Sequence, residues 1–174
     1  MTLRKSAGRA SVDRRPPTGG AGAKLRRAVR KHGPALRAIS ETKSRRPRAP
    51  GKWTPREILG HLIDSASNNH QRFVRARFQE DLVFPGYDQK EWVRGQKYAD
   101  APWAELVELW RLYNLHLARV MDATPRALRG RPTTRHNFHR ILMLKVEEGA
   151  PARLDDLMHD YVAHLEHHIA QIRV

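Results

Sequence analysis

The chain is predicted to be all-α: a four-helix bundle behind a disordered, basic N-terminal tail. Three observations point there. Four stretches carry apolar residues three and four apart over several turns. No segment alternates apolar and polar residues as a half-buried strand does. Pro, Gly and polar clusters punctuate the chain between the four stretches.

The first stretch places Leu25, Ala28, Val29, Leu36 and Ile39 on one helical stripe, with Gly33-Pro34 predicting a kink or break. Residues 45–51, Arg-Arg-Pro-Arg-Ala-Pro-Gly, read as a linker. The second helix has the clearest start. Thr54 is its N-cap, Pro55 its first residue, and Glu57 completes a capping box. Its inward stripe is Ile58, Leu59, Leu62, Ala66, Asn69 and Phe73, and a polar stripe of His61, Ser65, Asn68 and Arg72 runs along the edge. It is expected to reach about Phe78. A loop through Phe84 to Tyr87 and a short helix over residues 88–94 follow. The third helix is expected from Pro102, capped by Asp100, with Trp103, Leu106, Val107, Trp110, Leu117 and Met121 inside and Thr124-Pro125 ending it. Residues 126–153 read as irregular, with a short helix over 141–146. The last helix starts near Leu154 and runs to Ile172. Four such helices with some long connections make a bundle, an architecture that builds metal and cofactor sites between facing helices.

The charge is unevenly spread. Of the 33 Lys/Arg and 18 acids, residues 1–50 hold 15 and two, leaving 18 and 16 for residues 51–174. Residues 1–23 are rich in Arg, Pro and Gly and are expected to be a disordered, solubilising tail. The domain is expected to span residues 24–174. The tail has no aromatic residue for base stacking, so nucleic acid is an expected partner only through its charge. The chain has no cysteine, which excludes disulfides and thiolate ligands. No apolar run approaches the roughly 20 residues of a membrane span. A cytoplasmic protein with no membrane contact is expected, although an Arg-rich, acid-poor start also fits a transit peptide.

Candidate chemistry lies in the histidines. His164 and His168 are four apart and so project from one helix face, on or beside the apolar stripe. His61, on the second helix, is placed to add a third imidazole. Three nitrogen ligands on one side leave open coordination positions, as catalytic sites require. The metalloprotease motif needs Glu directly after its first His, and here Leu165 follows His164, so a metalloprotease of that type is disfavoured. His167 projects away from the stripe and is left out. His136 and His139, in the irregular segment, are weaker extra candidates.

Four segments carry a family resemblance: Lys52-Trp-Thr-Pro-Arg-Glu-Ile-Leu-Gly-His-Leu-Ile-Asp64, Asn69-His-Gln-Arg-Phe73, Tyr87-Asp-Gln-Lys-Glu-Trp92 and Asp160-Tyr-Val-Ala-His-Leu-Glu-His-His-Ile-Ala-Gln-Ile172. Together they resemble the DinB-like (YfiT-like) superfamily of metal-binding four-helix bundles, over residues 24–174. The resemblance implies a divalent metal, zinc or nickel, on His61, His164 and His168. It implies a metal-dependent hydrolase or a thiol-dependent S-transferase acting on a small electrophile, with a low-molecular-weight thiol as co-substrate, and a homodimer through helix faces. In the mechanism it suggests, Arg72 holds a carboxylate of the thiol or substrate, Asp160 orients the second ring nitrogen of His164, and Gln171 borders the site. Where many relatives carry an acidic residue past the His-Leu-Ile-Asp stretch, this chain reads Ser65-Ala-Ser-Asn-Asn69. Two readings from other classes stand beside this one: a non-catalytic, metal-stabilised bundle, and a DNA-damage-response accessory protein using its basic tail.

Overall fold

The computed structural model describes residues 20–172. Four long helices, α1 (Ala21–Ala38), α3 (Pro55–Arg75), α5 (Trp103–Ala123) and α8 (Leu154–Ile169), are joined by the short α2 (Glu41–Ser44), α4 (Gln89–Gly95), α6 (Arg126–Gly130) and α7 (Phe138–Ile141). Among the described residues the only β features are isolated bridges, Leu82 with His136 and Thr133 with Ala152. Both α1 and α3 pack on α5 and on α8, so α1 and α3 lie diagonally across the bundle. The helix α1 begins within the segment expected as tail, and residues 1–19 of that tail lie outside the described residues.

The predicted stripes form one core. Leu25, Leu59, Leu62, Phe73, Trp110, Leu117, Met121, Leu157 and Leu165 are all buried, and large apolar side chains of this kind stabilise by about 1.5–3 kcal/mol each when removed from water. The α3 start is as the sequence predicts. The Thr54 hydroxyl accepts from the Glu57 N–H (3.3 Å), and the Glu57 carboxylate accepts from the Thr54 N–H (2.8 Å). Gly60 then lets Tyr98 press onto the helix: a Cβ there would sit 2.2 Å from the Tyr98 ring. That close approach fixes the turn carrying His61.

Several local expectations are corrected. The helix α1 runs through Gly33-Pro34 without a break. Both Pro34 and Arg30, whose carbonyl Pro34 cannot bond, lie on the exposed side, so that carbonyl is not buried without a partner. Asp100 does not cap α5. Glu41 of α2 accepts the Trp103 N–H instead (3.0 Å), while the Trp103 indole donates to the Leu36 carbonyl (2.9 Å). The helix α3 stops at Arg75 rather than Phe78, and α8 at Ile169 rather than Ile172. The helix expected over 141–146 is α7, which lies earlier. The N–H groups of Met143 and Leu144 turn away from helical partners and donate to the Asp160 carboxylate, at 3.2 and 2.7 Å.

Arg56 ties one end of the bundle together. Fully buried, it donates to Ser44 Oγ (2.9 Å) and to the carbonyls of Ala99 (3.1 Å) and Ala101 (2.6 Å), and it pairs with Glu41. One side chain therefore fixes α2, the start of α3 and the entry to α5. No helix among the described residues is long and apolar enough to cross a membrane.

Candidate metal centre

Two helices meet at the histidines. The helix α3 supplies His61, which is fully buried, and α8 supplies His164 and His168, which are partly buried. Each offers one ring nitrogen such that the three atoms lie within 4.8 Å of one another. His61 Nε2 and His164 Nε2 are 3.2 Å apart. Two nitrogens bound to one tetrahedral ion at about 2.0–2.1 Å lie about 3.3 Å apart, so this spacing fits a shared ion. The ring centroids stand 4.5 to 5.1 Å apart with steep interplanar angles, which aims ring edges inward rather than stacking faces.

The electrostatics suit ligands. Burial, with His168 nearby, pushes His61 down to about 4. Burial, then His168 and His61, pushes His164 down to about 3. His168 is lowered as well, by burial and by His167. All three imidazoles are therefore neutral at pH 7, the form that binds divalent metals. His61 Nδ1 and His168 Nδ1 are buried with no hydrogen-bond partner among the described residues; for His61 this is the ring nitrogen that does not face His164. The Trp53 ring packs 5.4 Å from His61, and Ser65 Oγ faces His164 Nδ1 at 3.5 Å.

His164 and His168 open onto a cavity of about 330 Å³, walled by α3, α8, Tyr87 and residues 140–143, with His61 buried behind them. Arg72 and Asp160 line it, as does His167, whose ring meets His168 edge-on at 5.2 Å. His167, expected to project away from the apolar stripe of α8, lies on the rim of this cavity. Asp160 does not orient His164. Its two oxygens are taken by the Met143 and Leu144 N–H groups, so it holds the cavity wall in place instead. Gln171 does not border the cavity and pairs with His167 Nε2 at 3.0 Å. His136 is satisfied elsewhere, bonding the Ala150 carbonyl and the Phe138 N–H, and His139 sits beside Arg140 and Glu148.

Asp64, one turn past His61, is a buried carboxyl for which the sequence carries no local signal. Its Oδ1 accepts from Tyr98 and Gln96, both at 2.7 Å, its Oδ2 is buried without a partner, and burial raises its pKa.

Comparison with known proteins agrees with this architecture. The sequence model of the DinB superfamily matches residues 23–172. The chain belongs to the DinB superfamily. It is 28% identical over 140 residues to the Bacillus subtilis (strain 168) protein named "Putative metal-dependent hydrolase YfiT", covering 79% of this chain and 72% of that one. A shorter match, 40% over 48 residues and 28% of each chain, is to "Putative metal-dependent hydrolase OB0782" of Oceanobacillus iheyensis. The solved structure of YfiT, described as a four-helix bundle of unusual topology, superposes with a TM-score of 0.70 at 20% identity. That superposition covers 99% of this chain and 89% of that one, a likeness of fold.

Proposed function

We propose that this member of the DinB superfamily is a metal-dependent enzyme acting on a small electrophile. The nucleophile is water, as in a hydrolase, or a low-molecular-weight thiol, as in an S-transferase. The observation that carries the reading is the convergence of three neutral imidazoles, two of which, His164 and His168, line a cavity sized for a small molecule. His61, His164 and His168 would hold the ion, zinc or nickel being suited to an all-imidazole set. A divalent ion there supplies Lewis acidity, which favours the deprotonated form of a water or thiol at neutral pH. The names of the two relatives, both of metal-dependent hydrolases, support the hydrolytic version.

The chain's own residues do the rest. Trp53 and the surrounding core hold His61 in place, and Ser65 steadies His164 from the next turn of α3. Asp160 fixes the 143–144 wall, which limits water entry from that side. Leu109 and Leu112, about half exposed on the outer face of α5, support a dimer through that helix.

The test is turnover of activated esters, and of thiols with small electrophiles, by untagged protein before chelation, after it, and after return of zinc or nickel. Activity lost on chelation, regained on reloading and absent from the His164→Ala, His168→Ala double variant supports the proposal. Activity indifferent to both would sink it. A melting temperature that falls on chelation, with no turnover in either assay, would point to the metal-stabilised, non-catalytic bundle.

A further inference from the structure

The described residues contain two buried arginines, and they are treated very differently. Arg56 is satisfied by two carbonyls, a hydroxyl and Glu41. Arg72 is also buried, with 6% of its surface exposed, yet no carboxylate among the described residues stands within ion-pair distance of it. It donates to the Pro85 carbonyl at 3.1 Å and to Asn69 Oδ1 at a long 3.5 Å. A guanidinium has five N–H donors, so three are left over. Asp160 attracts it only from beyond ion-pair distance, its oxygens turned to the Met143 and Leu144 N–H groups. Burying a cation without a paired anion is expensive. A stable fold tolerates that cost where the missing anion arrives as a ligand. Arg72 lines the same cavity as His164 and His168, seven residues and about 10 Å of helix rise beyond Ser65.

We propose that this cavity takes a small molecule bearing a carboxylate, seated on Arg72 about two turns of α3 beyond Ser65. Calling that molecule the substrate rests on the metal-dependent reading above; the anion subsite itself does not. The planar fork of Arg72 matches a carboxylate through two parallel N–H···O bonds. Asn69 and Tyr87 flank it with neutral polar groups, and the Tyr87 phenol, pushed up to about 12 by burial, stays protonated and able to donate. The groups facing the subsite limit the charge it accepts. They are Arg72, Arg140 on the rim, Asp160, Tyr87 and the neutral His164. One buried cation partly balanced by Asp160 suits a single carboxylate better than a phosphate dianion.

The probes are butanoate, its uncharged analogue butanamide, and inorganic phosphate, with binding measured by calorimetry on the full chain, metal-free and zinc-loaded. Butanoate is expected to bind in the millimolar range and butanamide not at all. Arg72→Gln should weaken butanoate by about tenfold or more while zinc uptake stays as in the wild type. Butanoate binding should persist in the His164→Ala, His168→Ala variant, which separates Arg72 from any carboxylate held by the metal. Equal behaviour of butanoate and butanamide, or wild-type affinity in Arg72→Gln, overturns the proposal. Tighter binding of phosphate than of butanoate overturns the carboxylate assignment. If Arg72→Gln does not fold, Arg72→Lys and the wild-type comparison of butanoate with butanamide decide the matter. Failure of zinc uptake alongside the expected butanoate results removes the metal reading alone.

Discussion

Acid should destabilise the metal-free protein through the buried histidines, and the size of the effect follows from their environment. In the unfolded chain His61 and His164 titrate near 6.5; in the folded chain they are held at about 4 and about 3. Between those values the unfolded state binds more protons than the folded one. Stability contributed by the neutral rings is therefore full above pH 6.5 and falls as the pH drops toward 4. Each group contributes a slope of about 1.4 kcal/mol per pH unit in that window. At pH 5 the two together cost roughly 3–4 kcal/mol, less whatever their coupling removes. Asp64 and Asp160 work in the opposite direction, because burial raises their pKa and the folded state gains protons first. The comparison of slopes, rather than the absolute curve, is therefore the informative quantity. Urea unfolding at several pH values between 7 and 4.5, on wild type and on His164→Gln, measures it. The wild type should lose stability about 1.4 kcal/mol per pH unit more steeply than the variant. Identical slopes would refute the claim that His164 is buried and neutral.

Two further outcomes are expected. Arg56→Met should lower the urea midpoint, by the order of 2–4 kcal/mol in stability, since it leaves the Ala99 and Ala101 carbonyls without their donor; an unchanged midpoint would show the arginine to be dispensable. Asp160→Ala should speed amide hydrogen exchange at Met143 and Leu144 by freeing both N–H groups, while exchange in the α3 core stays slow.

The parts of this fold that could be read from sequence are those set by short-range rules. The Thr54-Pro55-Glu57 start of α3 is local chemistry, and so it stands where the residues place it. The nearness of His164 and His168 follows from four-residue helical spacing, and the apolar stripes of α3 and α8 bring His61 to them. What the sequence left out depends on distant partners. Glu41, not Asp100, caps α5, because α2 folds back across the bundle. Asp160 sits one turn from His164 yet faces the 143–144 wall, because two backbone N–H groups there outbid a single imidazole. His167 is 60° around the helix from His164, too far to join the three ring nitrogens but within the rim of a wide cavity. Arg72 was legible as a polar neighbour on α3; its lack of an ion-pair partner was not, since that depends on every element around it.

The central claim is that His61, His164 and His168 hold one divalent ion. Elemental analysis of untagged protein, incubated with zinc or nickel and then desalted, tests it most directly. The account predicts near one ion per chain in the wild type and none in the His164→Ala, His168→Ala variant. A wild-type protein that stays metal-free, or a double variant that keeps its metal, would contradict it.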